Sequence, residues 1–286
     1  MKILITGDAG FVGRHFRYYF ESKGDDVQGS DLKYGADCRD LFKTDTTIYD
    51  LVIHCAAIVG GREKIEGEPL TVATDLAIDA DMFNWAVRTK QKRIVYFSSS
   101  AAYPVSLQAG APRALREDDI NMNVLEKPDF TYGWTKLTGE LLAGFAQKQG
   151  VAVHIIRPFS GYGEDQDLTY PFPTFMDRVK KKQDPFTIWG DGTQVRDFIH
   201  IDDIVDGVLE VIKQDIQTPV NMGTGRATSF NELAAMMFNL TRWVPKEITH
   251  DVSKPVGVMY RVAQPDKFFS IYQPKITLEE GILKSL

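Results

Sequence analysis

The chain has 286 residues, 43% of them hydrophobic and 25% charged, and a net charge of −6. It is long enough to bury a large core, as one big domain or a domain with a smaller lobe, and its acidity argues against a nucleic-acid surface. Its two cysteines, Cys38 and Cys55, can build no disulfide framework and lack metal-ligand spacing. The one basic run, Lys180-Lys181-Lys182, reads as a solvated helix face. Lys2 leads straight into a strand pattern and no long apolar span follows, so neither a leader nor a membrane segment is expected, and the expected location is the cytoplasm.

Through the first two thirds of the chain, strand and helix patterns alternate, which predicts a parallel sheet covered on both faces. The predicted strands are Lys2–Thr6, a poorer one at Val27–Ser30, Leu51–His54, Arg93–Phe97 and Val151–Ile156. Between the first two, Gly7-Asp8-Ala9-Gly10-Phe11-Val12-Gly13 breaks the apolar run and opens a helical pattern. Glycines there let the backbone turn and approach a diphosphate seated on the free N–H groups of a helix start. The spacing is G-x-x-G-x-x-G rather than the tighter dinucleotide fingerprint. Asp31 follows Gly13 by eighteen residues, close to the interval for an acid that binds the ribose hydroxyls of NAD and repels the extra phosphate of NADP. The alternative reading is a solvated turn aspartate.

Farther on, Leu76, Ala80, Phe83 and Val87 predict a helix from Asp75 whose apolar face packs on the sheet. Tyr132 precedes Lys136 by four residues, and Leu137, Leu141 and Phe145 continue at helical spacing. Phenol and ammonium can therefore share one face, where the positive charge makes the phenol a better base. Past Arg157-Pro158 the alternation fails, and the chain is expected to leave for a smaller lobe. Ile204, Val208 and Ile212 then form a stripe that Asp202 or Asp203 can cap. Ser229 and Glu232 have the spacing of a capping box, opening a helix through Leu233, Met236 and Leu240.

Taken in order, Thr6-Gly7-x-x-Gly10-Phe11-x-Gly13, Asp31, Asp37-Cys38-Arg39-Asp40, His54-Cys55-Ala56-Ala57, Ser98-Ser99-Ser100-Ala101-Ala102-Tyr103-Pro104, Tyr132-x-x-x-Lys136, Arg157-Pro158, Trp189-Gly190-Asp191-Gly192, Arg196-Asp197-Phe198-Ile199-His200 and Asn221-Met222-Gly223-Thr224-Gly225 span nearly the whole chain. This set resembles the extended short-chain dehydrogenase/reductases of the nucleotide-sugar epimerase/dehydratase group. The resemblance implies an α/β fold: a Rossmann-type, doubly wound parallel sheet with a smaller C-terminal substrate-binding lobe. Residues 1–160 and about 195–222 would bind NAD, and about 161–194 and 223–286 the nucleotide sugar.

The resemblance also implies roles. Ser99, Tyr132 and Lys136 form the catalytic set, with Ser99 four residues before Tyr103. Gly7, Gly10, Phe11, Val12, Gly13, Asp31, Asp37, Cys38, Ala56, Ala57, Tyr132, Lys136 and Pro158 meet the cofactor, Asp37 at the adenine amino group. Ser99, Arg196, Arg261 and Asn221 meet the substrate, the arginines at its diphosphate. Arg196 could instead pair with Asp197 or Asp191, and Asn221 could cap a turn. Relatives commonly dimerise through a four-helix bundle, which the stripe after Lys136 permits, so a homodimer is expected.

The reaction is read by elimination. Dehydratases and decarboxylases of this kind carry an acid one or two positions after the catalytic serine, where this chain has Ser100 and Ala101. Enzymes resembling GDP-4-keto-6-deoxymannose epimerase-reductase share Val59-Gly60-Gly61 but use a cysteine and a histidine where this chain offers Ala101 and, nearby, Tyr170. A C4 epimerase needs only one acid–base set, so C4 epimerisation through a 4-keto sugar leads. A GDP-sugar 3,5-epimerase/reductase, an NDP-sugar dehydratase and a non-catalytic NAD(P)-binding regulator remain as alternatives. Asp75 and Ser160 stand where relatives usually carry asparagines.

Overall fold

The computed structural model describes residues 1–286. In chain order, β1 (Lys2–Thr6), α1 (Phe11–Ser22), β2 (Asp26–Ser30), α2 (Cys38–Thr44) and β3 (Leu51–His54) are followed by α3 (Arg62–Gly67), α4 (Pro69–Val72), α5 (Thr74–Thr89), β4 (Arg93–Phe97), α6 (Phe130–Lys148) and β5 (Ala152–Pro158). Then come β6 (Ser160–Tyr162), α7 (Pro171–Lys180), β7 (Phe186–Trp189), β8 (Val195–Arg196), β9 (Phe198–His200), α8 (Ile201–Lys213) and β10 (Val220–Met222). The chain ends with β11 (Thr228–Ser229), α9 (Phe230–Thr241), β12 (Ile248–Asp251), β13 (Tyr260–Arg261), α10 (Asp266–Ile271) and α11 (Leu278–Lys284).

Six parallel strands form the main sheet in the order β10-β5-β4-β3-β1-β2. Side chains alternate across it, as strand geometry requires. Ile3, Ile5, Ile53, Val95 and Phe97 face α1, α8 and α10, whereas Leu4, Val52, Ile94 and Tyr96 face α2, α5 and α6. Each such side chain contributes about 1.5–3 kcal/mol through burial. Strand order reverses beside β1, so the carboxyl ends of β1 and β3 frame the crevice where open sheets bind ligands.

A third cluster joins Tyr162, Phe172, Phe175, Phe186 and Phe198 to Phe230, Leu233, Phe238 and Ile282 beyond the main sheet. Around it lie the small sheets β11-β8-β13, β12-β7 and β6-β9. Two segments bridge the two regions. β8 and β9 pair within the small sheets, yet Ile199 and Ile201 pack in the main-sheet core. In the other direction, α10 leaves the lobe, and Phe268 and Tyr272 pack against the main sheet.

Local differences have local causes. The poor strand composition of β2 is overridden by pairing with β1 along its full length. Gly29 is part of the reason, since the space a Cβ would take is filled by the Asp8 carboxylate, which accepts bonds from Arg17 and Tyr34. On α5, Leu76 is exposed, and the inward face is Asp75, Ile78, Asp79, Met82, Phe83 and Ala86. Polar partners at the site, not hydrophobicity alone, set that rotation. Helix α8 is capped by the His200 ring, which accepts from Asp202 N–H; Asp203 instead points inward to Tyr272 and the Lys275 and Ile276 amides. The capping box of Ser229 and Glu232 forms on α9. No helix is long and apolar enough to cross a membrane.

Candidate active site

A cavity of about 1220 Å³ opens at the carboxyl ends of the main-sheet strands and extends toward the smaller lobe. At one end the β1–α1 turn forms its floor. Gly7 has φ +73°, and a Cβ there would come within 2.7 Å of Ala56 N; a Cβ on Gly13 would collide with Gly7 O. Only glycine lets these backbones close to this depth, leaving the N-terminus of α1 open toward the cavity. Gly10, Phe11, Val12, Ala56, Ala57 and Pro158 line the same end. The cradle suits the diphosphate of a dinucleotide.

Asp31 follows β2 at the cavity rim, its carboxylate held by Ala9 N–H at 3.1 Å and Lys33 N–H at 2.8 Å. Asp37 caps α2 by accepting from Arg39 N–H and pairs with the Arg39 guanidinium at 2.6 Å. That guanidinium holds its carboxyl below the usual range despite burial. Next to it, burial pushes the Cys38 thiol up to about 12, so it stays protonated.

Ser99, Tyr132 and Lys136 line the same cavity. Ser99 follows β4 and caps a short turn, its Oγ accepting from Ala101 N–H at 3.0 Å. One turn apart on α6, the Lys136 ammonium lies 5.8 Å from the centre of the Tyr132 ring and 5.5 Å from that of Tyr96. Burial pushes the Tyr132 phenol up, and Asp75 pushes it further; Lys136 and Ser99 pull it down without cancelling the rise. Lys136 therefore eases ionisation as expected, but desolvation is the larger influence. Although burial works against the Lys136 charge, Tyr132, Asp79 and Asp75 outweigh it and hold the ammonium above its ordinary value.

Three arginines line the far end. Arg196 donates to three backbone carbonyls, Val195, Val256 and Val258. It pairs with neither Asp197 nor Asp191: Asp197 is taken by Thr224, Gly225 and Ala263, and Asp191 by Thr193. Burial, with Arg261 and Arg62 nearby, opposes its charge. Arg261 donates to Gln108 at 2.6 Å and to Asp129 at 2.7 Å. Arg62 also reaches Asp129, at 2.8 Å, and pairs with Glu66 while lying 5.1 Å from the Phe130 ring centre. Three guanidiniums against the two carboxylates of Asp129 and Glu66, with Arg196 held by carbonyls alone, leave this end with positive charge suited to an anion.

Asn221 is the exception among the expected site residues. It is fully buried away from the cavity, with its amide bound to Tyr103 and Leu115 O. Its strand, β10, is the outermost of the sheet, and the residue ties the β4 loop to that edge. Sequence reasoning missed Arg62, although it adjoins Val59-Gly60-Gly61, and Asp129, which immediately precedes α6. It also gave Tyr170 no role, yet that side chain lines the cavity near Tyr132.

The fold has counterparts among known proteins. GDP-mannose 3,5-epimerase 1 of Oryza sativa subsp. indica is 29% identical, over 91% of this chain and 74% of its own length. UDP-glucuronic acid 4-epimerase from Bacillus cereus, solved with UDP-glucuronic acid and NAD, superposes with a TM-score of 0.82 at 22% identity, covering 100% of this chain and 98% of that one. UDP-glucose 4-epimerase from Thermotoga maritima, solved with UDP-glucose, gives 0.84 at 21%, covering 100% and 97%. At these identities the structural likeness is one of fold. The family description matches residues 3–223, and the chain belongs to the NAD dependent epimerase/dehydratase family.

Proposed function

We propose that the protein is an NAD-dependent nucleotide-sugar epimerase that inverts C4 through a transient 4-keto sugar. The observation that supports this is that one phenol, one hydroxyl and one ammonium line one cavity while Ser100 and Ala101, neither of them an acid, follow Ser99. Gly7, Gly10, Gly13 and Asp31 would hold the dinucleotide, and NAD, when bound, supplies hydride acceptance and return at C4. Tyr132 removes the C4 hydroxyl proton and returns it, and Ser99 hydrogen-bonds the same oxygen. Lys136 keeps positive charge beside the phenol. Arg196, Arg261 and Arg62 grip the diphosphate, leaving the sugar free to turn and take hydride on its other face. The exposed Trp134, Leu141 and Phe145 on α6 support assembly as a homodimer through that helix.

Purified protein with NAD is offered UDP-, GDP- and dTDP-hexoses carrying deuterium at C4, and products are read by NMR. A C4 epimer that retains its label is expected. Loss of the label to solvent, or NAD binding with no sugar turned over, refutes the reading. A 3,5-epimerase is favoured by one observation, the placement of Tyr170 in the cavity near Tyr132. It would show as solvent deuterium entering C3 or C5.

A further inference from the structure

Lys136 is 4% exposed, yet no protein group hydrogen-bonds its ammonium and no carboxylate lies within salt-bridge distance of it. Two aromatic rings stand beside the ammonium instead. The centre of Tyr132 is 5.8 Å away, one turn back on α6, and the centre of Tyr96, from β4, is 5.5 Å away. Both separations are within the reach of a cation–π attraction, about 6 Å, which is strongest where water is excluded.

The Tyr96 ring is itself held in place. Its hydroxyl donates to Asp79 Oδ2 at 2.5 Å, Asp79 Oδ1 lies 3.2 Å from His54 Nε2, and His54 Nδ1 lies 2.7 Å from Thr6 Oγ1. The rings of His54 and Phe83 pack against it, with centres at 6.3 Å and 5.5 Å. Gly139 follows Lys136 by three residues and shares its face of α6. A Cβ on Gly139 would strike the Tyr96 hydroxyl and Asp79 Oδ2, so the helix leaves the room that this hydrogen bond occupies. Burial, and then Asp79, push the Tyr96 phenol well above its ordinary value, so the ring is neutral. A neutral ring face attracts a cation without accepting a hydrogen bond in the ordinary sense.

We propose that Tyr96 is a positioning residue: its ring seats the Lys136 ammonium beside Tyr132 and leaves the three ammonium donors free for ligands in the cavity. A carboxylate in the same place would take up one or two of those donors and draw Lys136 toward itself. The chain of contacts from Thr6 through His54 and Asp79 sets the ring, and it ties this seat to the end of β1, where Gly7 opens the glycine turn.

The inference rests on the epimerase reading only in taking Lys136 as part of the site. The test is NMR of the NAD-saturated protein, isotope-labelled at lysine Cε, the Lys136 signal being the one lost in Lys136→Arg. An aromatic face shields the nuclei above it. The Lys136 ε-protons should therefore stay upfield in Tyr96→Phe, which keeps the ring, and move downfield in Tyr96→Leu, which removes it. Turnover should follow the ring, with kcat of Tyr96→Leu about tenfold below that of Tyr96→Phe. A Lys136 signal unmoved in Tyr96→Leu, or moved as far in Tyr96→Phe, overturns the proposal, and so does equal, measurable turnover by the two variants. A ring-dependent shift in a protein that turns over no sugar supports the seat while sinking the epimerase reading. A C4 epimer formed without that shift sinks this inference alone. Should Tyr96→Leu fail to fold, the wild type decides: a nuclear Overhauser contact between the Tyr96 ring protons and the Lys136 ε-protons supports the seat, and its absence overturns it.

Discussion

Behind the active site, Glu140 on α6 accepts from Arg157 Nε at 2.8 Å, from Arg157 Nη2 at 2.7 Å and from Ser98 Oγ at 2.5 Å. Glu140 and Arg157 are 3% and 1% exposed, and Arg157 also donates to Tyr103 OH and Glu117 O. The pair thus joins the ends of β4 and β5 to the helix that carries Tyr132. Changing Glu140→Ala leaves a guanidinium buried without its anion, which costs about 3–5 kcal/mol. At about 2 °C per kcal/mol for a chain of this size, the melting temperature should fall by about 6–10 °C. The double variant Glu140→Ala/Arg157→Met removes the orphaned charge and fills its space, so it should melt above Glu140→Ala. Thermal unfolding followed by circular dichroism at pH 7 measures both. If Glu140→Ala melts within about 2 °C of wild type, or the double variant melts lower still, the pair is not the clamp described.

Tyr132→Phe should lower kcat by about 100- to 10,000-fold with NAD affinity unchanged, read by steady-state kinetics and calorimetry; an unaltered rate removes the phenol from the chemistry. Arg196→Ala should raise KM for the nucleotide sugar by about 10- to 100-fold, the loss of one charge-assisted hydrogen-bonding group, with a smaller change in kcat. An unchanged KM would take Arg196 out of the anion site. Asp31→Ser should weaken NAD binding about 10-fold and improve NADP binding, measured by fluorescence titration; unaltered discrimination would place the ribose elsewhere. Asp75 should lower stability at neutral pH. Its folded pKa of about 6 lies above the ordinary 3.8, so the folded state binds the proton more tightly, and stability falls as pH rises across that window. The loss is complete near pH 7 at about 3 kcal/mol, and Asp75→Asn should escape it. Parallel melting curves of the two proteins between pH 4 and 7 would contradict this.

How much of this the sequence discloses depends on distance along the chain. The Tyr132–Lys136 pair rests on one turn of helix and the glycine loop on one strand–turn–helix unit, so both are legible as local patterns. The capping box of Ser229 and Glu232 is legible for the same reason. Arg62, Asp129 and Arg261 meet across 199 positions of chain, and no local period marks their convergence. Arg196 escapes the alternative pairing with Asp191 or Asp197 because those neighbours serve backbone amides instead. Asn221 looked available in sequence, and the edge position of β10 closes it off. The rotation of α5 was hidden because its inward face is partly acidic, so hydrophobic spacing pointed to Leu76.

That acidic face explains how a lysine 4% exposed keeps its charge. Desolvation alone would neutralise Lys136, and a tight ion pair would immobilise the ammonium against one carboxylate. Tyr132 and then two carboxylates set one turn apart on α5, each carboxylate beyond salt-bridge distance, stabilise the charge without capturing it. Only Asp79 is anchored at both oxygens, by Tyr96 and His54. Its partner Asp75 is left free on one side, and the cost of that freedom is bearable because a proton can settle there. On the face it buries, α5 thus carries one carboxylate anchored at both oxygens, Asp79, and one with a free oxygen, Asp75.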